Sequence, residues 1–255
     1  MLPEETDISP AVEAGTLVPP PIQDSREPFW GYFDLALVLG LLLASIVLIT
    51  LGAAAAVVIR PGLKNDPTPL LLPSNVAIYL LLYLVFRIVF AARYGQPVFA
   101  SLGWRHTKPA MLGIAALIGA PLAFAVDGVA YLLHTPKINT PIDELTRSPL
   151  MLVLFGIMAV TIAPIFEELF FRGFLQPLFA RTFGVVAGIV ITAVLFGALH
   201  AFQYQFVWQY VVAVSLVGIA LGTIRARTNS IIPSTIMHGC YNAMFIVALA
   251  VTKHT

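Results

Sequence analysis

Three short blocks of the sequence carry side chains able to do acid–base chemistry at helical spacing. The first is Pro164-Ile165-Phe166-Glu167-Glu168-Leu169-Phe170-Phe171-Arg172-Gly173. Glu168 and Arg172 are four apart, so they share one helical face and can pair along it. Glu167 lies about 100° around the helix. One arginine then faces two carboxylates, and the one left uncompensated is the kind of group that serves as a general base. The second block, Phe196-Gly197-Ala198-Leu199-His200, ends an apolar stretch on a histidine, which can pack through a hydrogen bond, carry a proton or bind a metal. The third is His238-Gly239-Cys240-Tyr241-Asn242. His238 and Asn242 are again one turn apart on one face. An imidazole and an amide placed side by side can donate to one oxygen, as stabilisation of a tetrahedral oxyanion requires.

The elements that must position these blocks are membrane helices. Of the 255 residues 59% are hydrophobic and only 11% charged, against about 25% charged in soluble domains. So little charge cannot coat a water-facing surface of this size. Seven runs are long enough to cross a hydrocarbon core of about 30 Å, which only a helix does with its backbone satisfied. They are Leu35–Ile59, Val76–Ala92, Ala110–Leu133, Leu150–Phe179, Val185–Phe202, Phe206–Ile224 and Ile231–Val251. The expected fold is therefore all-α, a polytopic bundle of about seven transmembrane helices.

Residues 1–28, acidic and proline-rich, read as a disordered tail rather than a secretory signal. Residues 29–95 hold two N-terminal helices and residues 96–255 a core unit. Phe29-Trp30 and Tyr32 read as an interfacial aromatic anchor. The prolines of Arg60–Ser74 (Pro61, Pro67, Pro69, Pro73) mark a loop that is not helical throughout, and Thr135–Ser148 is another loop. Glu167 and His200 are equidistant from the Thr182-Phe183-Gly184 turn, so an antiparallel hairpin puts them at one depth. His238 is only two turns into its helix, and the same count does not bring it level with them. Arg26, Arg93, Arg105, Lys108, Arg181, Arg225 and Arg227 fall on the side of the N-terminus. Arg60, Lys64, Lys137, Arg147 and Lys253 fall on the other. The excess places the N-terminus in the cytoplasm.

The net charge of +1 offers nucleic acid no partner. The single cysteine, Cys240, excludes an intrachain disulfide and reads as a small buried hydrophobe. Arg87 and Asp127 also interrupt spans and read as structural charges that pair across helices, with one another among the choices. Arg225 and Arg227 read as snorkelling to the cytoplasmic surface.

Together the blocks resemble the CPBP family of CaaX proteases and bacteriocin-processing enzymes, also called Abi. Its pattern is Glu-Glu-x-x-x-Arg, Phe-x-x-x-His and His-x-x-x-Asn/Asp, matched here by Glu167-Glu168-x-x-x-Arg172, Phe196-x-x-x-His200 and His238-x-x-x-Asn242. Ser101-Leu102-Gly103-Trp104 resembles a block that often precedes the family's core, and the likeness covers roughly residues 100–250. It implies hydrolysis of a peptide bond within or near the membrane, in a membrane-associated protein or peptide, lipidated or not. By that resemblance Glu167 activates a water that His200 holds, His238 and Asn242 polarise the scissile carbonyl, and Glu168 with Arg172 orients the helix. The compact loops fit a prokaryotic plasma membrane.

Glu167, His200 and His238 could instead supply three ligands to zinc. The absence of His-Glu-x-x-His and the poor ligand quality of the Asn242 amide favour catalysis with no metal cofactor. The same charges strung across the bilayer would suit a proton- or ion-coupled transporter, and a non-catalytic membrane scaffold is the third reading. A hydrolase would draw them together around one water.

Overall fold

The computed structural model describes residues 28–66, 68–140, 142–143, 146 and 148–254, with side chains to Val251. The tail read as disordered lies outside them but for Pro28, as do Arg26, Arg147 and the Lys253 side chain. Among the described residues every regular element is helical. The long helices are α1 (Tyr32–Ile59), α2 (Thr68–Tyr94), α4 (Pro109–Leu132), α5 (Pro149–Phe183), α6 (Val185–His200), α7 (Trp208–Thr228) and α8 (Ile231–His254), with a single turn α3 (Val98–Ser101) between α2 and α4.

Six of these are long and apolar enough to span a membrane, and the chain is an integral membrane protein. The seventh expected span, α6, has 16 residues, which at 1.5 Å per residue is about 24 Å. It ends at His200, short of the expected Phe202, because residues 201–206 form turns with positive φ at Gln205 and Phe206. The second span starts at Thr68 rather than Val76. Pro69 falls in its first turn, where the missing N–H has no intrahelical partner anyway, and the Asp66 carboxylate accepts the Thr68 N–H.

Helices α1, α2 and α5 meet in an aromatic seam. The start of α1 lies at the end of α2: the Asp34 carboxylate accepts from Arg93 Nε (2.7 Å), Tyr94 Oη (2.7 Å) and the Gly31 N–H (2.9 Å). Phe86 and Phe90 of α2 pack on Phe174 of α5 at centroid distances of 5.1 and 6.3 Å. Trp30 belongs to this seam and is 3% exposed. It stacks on Phe174 and donates Nε1–H to the Phe174 carbonyl at 3.1 Å. The interfacial anchor expected of it is therefore confined to Phe29 and Tyr32, which are exposed. An indole has an apolar body and one donor, and here tertiary packing satisfies both.

The α5–α6 hairpin turns at Gly184, whose φ of +87° favours glycine. Phe171 and Phe196, a pair symmetric about that turn, touch edge to face at 4.9 Å, so the expected register holds. Leu102, fully buried, sets its carbonyl where a side chain at Gly173 would stand. Gly103 next to it accepts the N–H of Ile231, the first residue of α8, at 2.9 Å. The Leu102-Gly103 turn thus wedges between α5 and the start of α8. Arg225 packs its guanidinium against Gly103 and donates to Asn229 Oδ1 at 3.1 Å. It is held in the protein and does not snorkel as expected; Arg227 is exposed.

Candidate active site

Helix α5 is not uniform. Residues Met158–Ile162 and Leu169–Leu175 are wound as π-helix, on either side of the α-helical turn Ala163–Glu168. Such widened turns recur at functional sites, and here a cause is visible. The Ala163 N–H bonds five residues back to Met158 O. The next bond in that register would run from residue 164 to Ala159 O, and Pro164 has no N–H to give. Asn242 supplies the missing donor: its Nδ2 lies 2.7 Å from Ala159 O. Beside it, α8 comes so close that a Cβ at Gly239 would stand 2.6 Å from Val160 O. Gly239→Ala is expected to push α8 off α5 and lower hydrolysis by about tenfold, with roughly 1–3 kcal/mol of lost stability. Turnover and thermal unfolding beside Gly113→Ala, where nothing lies within 4 Å, check this.

The close approach of α5 and α8 brings four of the six candidate residues together. Glu168 and Arg172 are both fully buried and pair at 2.9 Å. Arg172 Nη2 also donates to Gly218 O of α7 at 3.2 Å. His238, 3% exposed, donates from Nδ1 to the same Glu168 Oε1 at 3.1 Å. Its other nitrogen, Nε2, is 3.8 Å from Glu167 Oε2, near enough to attract and too long for a hydrogen bond. The depth of His238 follows from the wedge. Counting 1.5 Å per residue, His238 lies about 10 Å from the start of α8 and Glu168 about 22 Å from the end of α5. The levels meet because α8 starts inside the protein, with Ile231 0% exposed and Ser230 Oγ bonded to Arg105 O at 2.6 Å.

His200 joins the group through Phe196. The Phe196 ring lies 4.6 Å from the His200 ring, 5.7 Å from the His238 ring and 4.5 Å from the Arg172 guanidinium carbon. The aromatic of the Phe-x-x-x-His block is therefore the platform on which both imidazoles and the guanidinium rest. His200 donates Nδ1–H to Phe196 O at 2.7 Å, which in the neutral ring leaves Nε2 a free acceptor. Asn242 makes its bond one turn along α8 from His238, to the α5 backbone.

A further residue escaped the sequence reading. Tyr79 of α2 donates its hydroxyl to Glu167 Oε1 at 2.9 Å, and its ring stacks on Phe166 at 5.6 Å. A tyrosine in an apolar span is unremarkable by type and spacing, and only the packing of α2 on α5 gives it a role.

Among the described residues no three His, Cys, Asp or Glu side chains are arranged to hold a metal ion. Of the candidate zinc ligands, Glu167 and His238 approach one another at 3.8 Å. Arg87 and Asp127 make no ion pair with each other or with any described residue, and both are exposed. Cys240 packs against Gly119 of α4.

Fold and site define a polytopic helical membrane protein with a charged cluster enclosed between its spans. Residues 149–244, from the start of α5 into α8, match the family model described as Type II CAAX prenyl endopeptidase Rce1-like. That segment is similar to the CAAX-protease family which the three blocks also resemble. Comparison of the whole chain with curated proteins and with solved structures gave no match.

Proposed function

We propose that the chain is an intramembrane endopeptidase that hydrolyses a peptide bond of a membrane-associated protein or peptide with a water activated by Glu167 and His200. The observation that carries this reading is convergence: Glu167, Glu168, Arg172 and His238, from two helices, meet within single hydrogen-bond and ion-pair distances. A proton relay would spread such groups across the bilayer.

The two glutamates divide the work by environment. Glu168 is committed to Arg172 and His238, whereas Glu167, with a side chain 19% exposed, keeps one oxygen open to a reacting water. Glu167 takes a proton from that water while His200 Nε2 accepts its other hydrogen. The oxygen attacks the carbonyl carbon and the carbonyl electrons move to oxygen. His238 Nε2–H, with Nδ1–H anchored on Glu168, then faces the developing charge. Collapse of the tetrahedral adduct breaks the C–N bond, and Glu167 returns its proton to the leaving amine.

Asn242 has two amide hydrogens and spends one on Ala159; the second is available to the same oxyanion. Asn242→Ala is expected to lower kcat by about a hundredfold and to destabilise by roughly 1–3 kcal/mol through the orphaned Ala159 carbonyl. Asn242→Asp should be worse than alanine in stability, because a carboxylate repels that carbonyl. Equal unfolding midpoints for both variants and the parent would rule out the bond.

The metal-free course is part of the proposal, as are the cytoplasmic N-terminus and the prokaryotic plasma membrane. The direct test is cleavage of a quenched, lipidated peptide library by the protein in lipid nanodiscs, with and without a strong chelator. Cleavage that survives the chelator supports the reading in full. Cleavage lost to the chelator and restored by zinc retains the peptidase and overturns its metal-free mechanism. Absence of cleavage across the library, with proton or ion flux in proteoliposomes, would replace it with transport.

A further inference from the structure

We infer that Tyr79 is a positioning residue for Glu167, so that the active site extends onto α2, outside the segment that matches the family model. The inference rests on Glu167 acting as the base, as proposed above. Its basis is three contacts that together fix one carboxylate. Tyr79 Oη donates to Glu167 Oε1 at 2.9 Å. The Tyr79 ring is clamped nearly parallel to Phe166, with an interplanar angle of 15° and centroids 5.6 Å apart. Glu167 Oε2 is then the oxygen left facing His238 Nε2 at 3.8 Å.

A glutamate side chain has three rotatable bonds, and Glu167 makes no other hydrogen bond among the described residues. Without the phenol, only the 3.8 Å attraction of His238 Nε2 is left to orient its carboxylate at the edge of the site. A hydroxyl bonded to one oxygen selects a rotamer and leaves the syn and anti lone pairs of the other oxygen for the water. Position is worth much here, since a misplacement of about 1 Å can cost two orders of magnitude in rate. The clamp on Phe166 matters for the same reason: Phe166 and Glu167 are chain neighbours, so ring and carboxylate move as one unit with α2.

The placement also gives α2 a purpose. It packs on α5 through Phe86 and Phe90, both buried, and reaches the site through Tyr79. Helix α2 is thus a strut that carries one functional hydroxyl near its middle.

The test is Tyr79→Phe, which keeps the ring and its stacking and removes one oxygen. Two readouts are taken on the full chain in nanodiscs. In peptide hydrolysis, kcat is expected to fall about tenfold with KM unchanged within twofold. In labelling by a lipophilic carbodiimide, followed by peptide mass spectrometry, Glu167 is expected to react several-fold faster in the variant. Glu167→Gln sets the blank for that peptide. Equal labelling of Glu167 with and without the hydroxyl overturns the inference whatever the kinetics. So does wild-type kcat in Tyr79→Phe, or a change confined to KM, which would mark the phenol as a substrate contact. Faster labelling in a protein whose parent cleaves nothing would overturn the peptidase reading and retain the Tyr79–Glu167 coupling. A Phe166→Leu variant, which loosens the clamp and keeps the hydroxyl, is expected to give a smaller effect of the same sign in both readouts; an effect as large as that of Tyr79→Phe would assign the role to the ring and overturn the hydrogen bond's.

Discussion

Glu167→Gln is expected to lower kcat for peptide hydrolysis by about a thousandfold or more, with the unfolding midpoint in detergent left within about a degree of the parent. The two halves of this expectation have separate physical grounds. Glutamine keeps the length and shape of the side chain, and its Oε1 still accepts from Tyr79 Oη. It has no lone pair basic enough to take a proton from water, so the base is lost and the scaffold is not. Stability is spared because Glu167 is outside the buried pair: its nearest ionic contact is the 3.8 Å approach to His238. Turnover equal to that of the parent would remove Glu167 from the chemistry and leave His200 as the only base candidate.

The second large effect is structural. Arg172→Ala strips Glu168 of its counter-ion in a place where both side chains are 0% exposed. Breaking a fully buried pair in this way costs about 3–5 kcal/mol, because the surviving charge cannot hydrate and keeps only His238 as a partner. It also removes the donor to Gly218 O and the cation over Phe196. Removing both charges is a different matter: Glu168→Leu with Arg172→Met replaces an ion pair by apolar groups of similar bulk, which is often neutral. Chemical unfolding in mixed micelles should therefore rank the double variant above Arg172→Ala. Hydrolysis should stay abolished in the double variant, because His238 Nδ1 loses its acceptor. A double variant as unstable as the single one would assign the loss to packing rather than to the stranded carboxylate.

Much of this site was legible because ionisable groups in apolar helices are rare and their spacing is physical. Glu168 with Arg172, and the equal depth of the two arms of the hairpin, follow from helical geometry and from counting to a turn. What escaped depended on contacts between elements far apart in the chain. Tyr79 acquires its role from packing 88 residues away in sequence. The level of His238 depends on how deeply the Leu102-Gly103 turn seats the start of α8, which no count along α8 reveals. Trp30 read as interfacial, and only Phe174, which offers it a carbonyl and a ring, places it in the core. Arg225 shows the same limit, since a basic residue at the end of a span snorkels unless, as here, a glycine gives it a surface to lie on. The prolines of the α1–α2 connection erred in the other direction: Pro69 and Pro73 read as breakers, yet a proline in the first turns of a helix removes few bonds that would otherwise form.

Pro164 illustrates how sequence, winding and site are joined. It denies Ala159 a partner, the helix widens, and Asn242 is drawn to the gap from another helix. The block that supplies His238 is therefore fastened to α5 at two points, Ala159 and Glu168, each through a different kind of bond.

The short reach of α6 has a consequence for the lipid around it. A bilayer with a core of about 30 Å cannot lie flush against a helix of about 24 Å without thinning or admitting headgroups at one end. One of its two ends carries His200, followed by Gln203 and Gln205 in the turn beyond it. Mismatch taken up at that end falls beside the imidazole assigned to the attacking water. Acyl-chain length then becomes a variable of the reaction: thick membranes dry this mouth, and thin ones wet it.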